Sequence, residues 1–565
     1  MSDTVSFTFE GRDLAGRRGE SLAAALIAAG VRSFRATRTG AERGIFCGMG
    51  VCQDCLVEID GRSNQRACMV KLDRSMTVRR EGFAREASAP ATGAAPRTIE
   101  DIPEEKPDLL VVGAGPGGLS AAIAARRAGA SVLVLDERPL AGGQYFKQIA
   151  VDGGSVAPPD AQHEEGAKLI AAALGIGVEI RSGAEIWGAF PPHTLAAVQE
   201  SAVRIFAPAR LIVATGAYEQ GVPIPGWTLP GVMTTGAAQT LWRSYRRLAG
   251  RRVLIAGNGP LNLQVAAELA AGGAEIAAVV EVAPVPVFRS ALALASMMRA
   301  SPRLVLEGLA YRRRLQSAGV PVLYGSVVKR IEKNADGLTV QVGRFGGASA
   351  DPAYSADAVC LGYGFQPASE ILRALGCEHR FDPARGQFVP CLSSDGTGET
   401  TVPNVFALGD CTGRGGARAA LAEGTLVGVA AASAPGRDLA PNLAAERDAA
   451  GRALARHRRF QAALWRFYAA PRLGLELATP DTMLCRCEEI TVRQVESALA
   501  EGCPSIGELK RTTRAGMGAC QGRYCGPILS MLMARRLGRD LDEDLRFAPR
   551  VPIKPISVTD IARRA

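Results

Sequence analysis

A multidomain α/β chain is predicted, with two Rossmann-like units in its middle and a small cysteine-bearing unit at each end. Three observations carry this reading. Two Gly-rich β-α-β stretches, residues 108–137 and 251–281, lie well inside the 565 residues. Eight of the thirteen cysteines fall into two tight groups outside those stretches. The length is too great for one core and suits three or four domains.

Composition sets the class. An apolar fraction of 47% with 22% charged residues is globular. The net charge of +10 comes from scattered basic residues without interleaved aromatics, so no nucleic-acid groove is expected. No apolar run is long enough for a transmembrane helix. The start, MSDTVSFTFEGRD, has neither a basic head nor an apolar core, so it does not read as a signal peptide. A cytoplasmic place is expected, or a peripheral one at the inner membrane face. Thiols stay reduced there, so clustered cysteines read as metal ligands.

The first unit, residues 1–85, opens with the alternating strand Val5-Ser6-Phe7-Thr8-Phe9. Ser21 would cap an Ala/Leu-rich helix that Gly30 ends. A Gly- and Cys-rich loop follows, then a strand from Cys55 to Ile59 turning at Asp60-Gly61. Its cysteines, Cys47, Cys52, Cys55 and Cys68, are spaced C-x4-C-x2-C-x12-C. A [2Fe–2S] cluster needs four thiolates, three from one tight loop and a later fourth. Gly44, Gly48 and Gly50 would let the loop wrap the sulfides. A zinc site, the alternative alongside free thiols, more often shows two C-x2-C pairs. The segment resembles short-spaced plant-type ferredoxins. It is most similar to the small ferredoxin-like subunit of bacterial amine and amino-acid dehydrogenase complexes, through the RG-x-FCGMGVC-x-DC…RAC pattern of residues 43–68.

Residues 86–107, rich in Ala, Pro and Glu, read as a linker. In the first β-α-β stretch Gly113, Gly115 and Gly118 fit G-x-G-x-x-G. The first glycine makes the turn, the second admits a pyrophosphate and the third lets helix and strand approach. Asp136 ends the second strand, where an acid takes ribose hydroxyls, with Glu137 as the neighbour able to do so instead. Ala214-Thr215-Gly216 and Val405-Phe406-Ala407-Leu408-Gly409-Asp410 follow downstream. That order over residues 108–435 resembles flavoproteins of the glutathione-reductase type, which implies FAD, held in part by Asp410 at the ribityl chain. Gly143 and Gln144, with Thr215, Gly216 and Gly409, complete the expected FAD set. The loop Gly142-Gly143-Gln144-Tyr145-Phe146 carries no cysteine where dithiol members of that group do, so disulfide reduction is disfavoured.

The second β-α-β stretch keeps Gly257 and Gly259 but has Asn262 at the third glycine position. Asn would push the helix outward or reach the ligand. Glu281 ends its second strand and suits an unphosphorylated ribose. An NAD-like or adenine nucleotide is one reading, a retained empty scaffold the other. The expected divisions are 108–245 and 386–435 for the FAD domain, 246–385 for the second nucleotide domain and 436–480 for a helical connector. A last unit at 481–550 and an irregular tail at 551–565 complete them.

The last unit holds Cys485, Cys487, Cys520 and Cys525, spaced C-x-C-x32-C-x4-C. It resembles bacterioferritin-associated-ferredoxin-like domains, which implies a second [2Fe–2S] cluster, although those usually close with C-x2-C. Zinc or no metal is the alternative. Arg486, Lys510 and Arg511 would offset cluster charge or merely be solvated. The four histidines are isolated, and no catalytic residue is assigned.

The resulting fold class is two Rossmann-like dinucleotide-binding domains of the glutathione-reductase type. A β-grasp [2Fe–2S] ferredoxin-like domain precedes them and a small helical bacterioferritin-associated-ferredoxin-like domain follows. The order resembles the alpha subunit of bacterial opine oxidase, hydrogen cyanide synthase and D-hydroxyproline or proline dehydrogenase complexes, with the small ferredoxin-like subunit fused in front. The resemblance implies a separate FAD-dependent beta subunit, related to glycine and sarcosine oxidases, that oxidises a CH–NH bond of an amino acid or opine. Electrons would then pass through this chain to a quinone or an electron-transfer protein. The alternatives are an NAD(P)H-dependent reductase feeding a partner oxygenase, and a non-catalytic assembly subunit.

Overall fold

A computed structural model describes residues 4–82, 102–151, 160–286, 290–347, 352–413, 415–433 and 439–562. The N-terminal unit is a five-stranded mixed sheet, with Thr4–Phe9 between Arg12–Arg17 and Thr77–Arg80. The helix Leu22–Ala28 packs on it, capped by Ser21, whose hydroxyl accepts from Ala24 N. Leu22, Ala23, Ala24, Ala25, Leu26 and Ile27 are all buried, because one helix must cover a whole sheet face. Asp60 and Gly61 both have positive φ, which closes a tight hairpin between Leu56–Ile59 and Arg62–Arg66.

Two all-parallel five-stranded sheets form the centre. The first runs Glu179–Ser182, Val132–Asp136, Leu109–Val112, Arg210–Val213, Val405–Ala407. The second runs Val232–Thr234, Ala358–Gly362, Arg252–Gly257, Glu275–Glu281, Val322–Tyr324. Central strands such as Leu109–Val112 are apolar and buried on both faces, as covered parallel strands must be. The return of Val405–Ala407 to the first sheet, after the second is complete, carries Gly409 and Asp410 back beside the first glycine loop.

The linker expected at 86–107 lies outside the described residues up to 101; beyond it, Glu104–Glu105 pairs with Ala202–Phe206. The tail is not wholly irregular. It contains the short helix Val558–Ala562, anchored where Arg62 donates to Asp560 at 2.9 Å. Among the described residues no helix is long and apolar enough to cross a membrane.

The chain ends meet. One apolar cluster joins Phe46, Cys47 and Cys52 to Trp227, just before the second sheet's strand Val232–Thr234, and to Cys520 and Tyr524.

Candidate redox site

The first glycine loop is shaped by close backbone approach. Gly113 has φ +108°, and a Cβ there would meet Ala214 O at 2.4 Å. A Cβ on Gly118 would meet Gly113 O, so helix and turn touch there. Asp136 is buried and accepts from Ala114 N at 2.6 Å and Arg138 N at 2.8 Å. Burial raises its carboxyl against the pull of those N–H groups. Glu137 is ion-paired with Lys554 of the tail; burial pushes its carboxyl up, but Lys554 prevails and holds it below its ordinary value.

A cavity of about 970 Å³ is lined in part by Gly113, Gly115, Asp136, Glu137, Gly143, Gln144, Thr215, Gly216, Gly409 and Asp410. The same cavity reaches Cys47, Met49 and Val51 of the N-terminal unit. Of the first glycine set only Gly118 lies off the wall, behind Gly113. Asp410 accepts from Gly415 N and Gly416 N, both at 2.9 Å, which orients its carboxylate at the start of the helix Ala417–Ala432. Gly143 approaches Gly115, and a Cβ on Gly143 would meet Gly115 Cα at 2.7 Å. These residues fit a bound dinucleotide, since glycine at each approach leaves a groove that side chains would fill.

The second glycine loop repeats the first with its acid turned inward. Glu281 accepts from Gly259 N and Ala283 N at 2.9 Å, and from Asn258 Nδ2 at 3.1 Å. Gly257, Gly259 and Glu281 do not line the large cavity, though Pro260, Leu261 and Gln264 of the following helix do. Asn262 turns into the fold and does not line the cavity. It is 1% exposed, accepts from Thr235 Oγ1 at 2.9 Å and donates to Gly362 O at 3.0 Å. The amide replaces a glycine contact with a stitch between two helices and a strand.

Burial lifts the Glu281 carboxyl to about 7 from an ordinary 4.5, although three backbone N–H groups and Asn258 oppose the shift. A raised folded pKa means the native state holds a proton that the unfolded chain has released. Stability from this group is therefore full below pH 4.5 and is lost as pH rises through about 7. Urea denaturation at several pH values is expected to show a flatter pH slope for Glu281→Gln over that window. An unchanged slope rejects the assignment.

Cys47, Cys52, Cys55 and Cys68 converge in the buried N-terminal loop. Cys47 Sγ accepts from Cys52 N at 3.3 Å and Met49 N at 3.5 Å. Burial raises the Cys47 thiol, but the hydrogen bond from Cys52 and the loop N–H groups outweigh it and bring it down to about 6. Cys68 stands beside Cys55, and that neighbour and burial push its thiol well up. Gly48 and Gly50, with φ +61° and +76°, turn the N–H groups inward. Cys485 contacts Cys525, and Cys487 contacts Cys520, in the C-terminal unit. A Cβ on Gly518 would meet Cys487 Cβ at 2.1 Å, so the loop closes tightly on that thiol. Among the described residues no three His, Cys, Asp or Glu side chains are placed around a single metal ion. A two-iron cluster spreads four thiolates over two irons, so paired thiols rather than one tetrahedral point suit it.

Sequence reasoning missed two buried groups of the cavity. Lys147 donates to Gln144 O at 2.6 Å and Gln239 Oε1 at 2.9 Å, and burial lowers its ammonium to about 7. Glu219 accepts from Gly236 N at 2.8 Å, and burial lifts its carboxyl to about 7. Neither sits in a motif, so their sequence carries no signal. Lys510 and Arg511 remain at the end of the helix Ile506–Thr513, whereas Arg486 is buried between Phe46 and Trp227.

Residues 107–426 match the family described as pyridine nucleotide-disulphide oxidoreductase. Residues 2–82 match the 2Fe-2S iron-sulfur cluster binding domain, and residues 480–564 the sarcosine oxidase A3 domain. An opine oxidase subunit of Agrobacterium tumefaciens (strain Ach5) is 33% identical over 478 residues, covering 80% of this chain and 91% of that protein. The HcnB subunit of hydrogen cyanide synthase from Pseudomonas aeruginosa is 32% identical over 459 residues, covering 79% and 96%. L-proline dehydrogenase from P. horikoshii shares the fold, with a TM-score of 0.70 at 21% identity over 99% of this chain and 98% of that one.

Proposed function

The chain belongs to the pyridine nucleotide-disulphide oxidoreductase family of FAD-dependent oxidoreductases, and we propose that it is the electron-carrying subunit of a dye- or quinone-linked amino-acid or opine dehydrogenase. The carrying observation is that one cavity is lined both by the first glycine loop and by Cys47 of the cysteine loop. Bound flavin takes two electrons together and releases them singly, which matches a one-electron cluster beside it.

In this reading Gly113, Gly115, Gly143 and Gln144 receive the pyrophosphate side of FAD, Asp136 or Glu137 its ribose, and Asp410 its ribityl hydroxyls. Gly118 keeps the helix close enough to do so, while Thr215, Gly216 and Gly409 wall the groove. Cys47, Cys52, Cys55 and Cys68 hold one [2Fe–2S] cluster, and Cys485, Cys487, Cys520 and Cys525 a second. Gly257, Gly259 and Glu281 remain the candidate for an NAD-like or adenine nucleotide. Lys147 and Glu219 hold protons at the cavity wall, Lys147 through its bonds to Gln144 and Gln239. The similarity to the opine oxidase and HcnB proteins supports a hetero-oligomer, with a beta subunit performing the CH–NH oxidation and an acceptor such as a quinone or electron-transfer protein. A cytoplasmic location completes the reading.

The test is anaerobic purification followed by flavin analysis, iron analysis and dye reduction. The expected result is a coloured chain that reduces dye with amino acids or opines only when its partner subunit is present. Rapid bleaching of the flavin by NADH or NADPH alone would overturn it in favour of an NAD(P)H-dependent reductase. A folded, colourless chain would leave only the assembly role.

A further inference from the structure

The two cysteine quartets are far apart in sequence, yet their loops interlock. Phe46, next to Cys47, and Tyr524, next to Cys525, meet edge to face with ring centroids 5.3 Å apart. Arg486, between Cys485 and Cys487, lies over Phe46 at 3.7 Å and over Trp227 at 4.6 Å. Its guanidinium pairs at 2.7 Å with Asp54, which stands between Cys52 and Cys55, and donates to Trp227 O at 2.6 Å. On the other side of the junction Glu489 accepts from Thr37 and Thr39, each at 2.7 Å, and pairs with Arg43 at 3.5 Å. Trp227 Nε1 donates to Met483 O at 2.7 Å and fixes the start of the C-x-C hairpin.

Such a junction is more than is needed to attach a small domain. Arg486 is 5% exposed and Asp54 fully buried, and a desolvated pair is costly unless its geometry is held. Tyr524 is 4% exposed, and its hydroxyl has no hydrogen-bond partner among the described residues. It packs in one apolar cluster with Cys47, Cys52 and Cys520, thiols of both quartets. An orphaned buried donor asks for an acceptor, and cluster sulfur is one.

We infer that the two quartets act as one coupled pair, exchanging a single electron directly across the Phe46–Tyr524 contact, with Arg486 as the positioning residue shared by both. One iron of the donating site goes from ferrous to ferric and one of the accepting site from ferric to ferrous; no bond breaks and no proton is required. This rests on the reading that both quartets carry [2Fe–2S] clusters. Arg486 touches both loops, so its charge favours the reduced, more negative state of each.

The test uses the whole chain, reduced stepwise under anaerobic conditions and followed by electron paramagnetic resonance. The wild type is expected to show iron at both sites and two signals that broaden and relax faster together than either does singly. Arg486→Met is expected to lower both potentials in step, by about tenfold in each reduction equilibrium or about 59 mV for one electron, with Arg486→Lys restoring them. Tyr524→Phe, which removes only the hydroxyl, is expected to lower potential at both quartets while leaving iron content intact. Two loaded clusters without magnetic interaction in the wild type would overturn the inference whatever the variants do. So would a shift confined to the C-terminal cluster in Arg486→Met. Iron at only one site would overturn the two-cluster reading itself, and the pairing with it.

Discussion

Gly118→Ala is expected to abolish flavin retention and to lower stability sharply. The added Cβ would fall against Gly113 O and 3.0 Å from Gly113 C. Both are backbone atoms of the tight turn, so no side chain can swing aside. The helix Pro116–Arg127 must move away from the strand Leu109–Val112, costing about 1–3 kcal/mol or more. That displacement also withdraws the helix N-terminus from the site of the pyrophosphate. Bound flavin after gel filtration, together with thermal melting, measures both effects. Gly175→Ala is the control, since nothing lies within 4 Å of its Cβ. A Gly118→Ala protein with a full complement of flavin and the parental melting point would contradict this account of the loop.

Asp54→Ala is expected to cost about 3–5 kcal/mol, because removing one partner of a buried pair strands the other charge. Here it strands two. Asp54 pairs with Arg486 at 2.7 Å and with Arg35 at 3.2 Å. Burial raises the Asp54 carboxyl, but Arg486, Arg35 and Arg43 together hold it below its ordinary 3.8. A depressed folded pKa gives stability that is present above the unfolded value and lost as pH falls through the folded one. The difference between wild type and Asp54→Ala should therefore shrink only in strong acid, below about 4. Urea denaturation at neutral and acid pH reports it. A loss under about 1 kcal/mol at neutral pH would mean that the Asp54–Arg486 pair adds nothing to holding the two end units together.

Much of the fold is local and was legible. Ser21 caps its helix because a hydroxyl satisfies an orphan N–H wherever a helix begins. The glycines of residues 113–118 announce a close approach because only hydrogen fits there. Cysteine spacing marks the C-x4-C-x2-C loop and the C-x-C and C-x4-C pairs, since a short loop keeps its own thiols close, whereas the two pairs of the last unit are brought together by the helices between them. Asn262 misled for the opposite reason: its partners, Thr235 and Gly362, come from a helix start and a strand remote in sequence. Arg486 could not be told from a solvated arginine, and Lys147 and Glu219 belong to no motif.

Spacing and periodicity by themselves determined the two nucleotide-binding folds, the glycine loops and the sulfur quartets, because turns, caps and short loops depend on neighbours along the chain. Only the tertiary structure decided that the quartets face each other and that Cys47 opens on the cavity lined by the first glycine loop. Asp54 and Arg486 are 432 residues apart, and their meeting is set by the shape and charge of surfaces that exist only once each unit has folded.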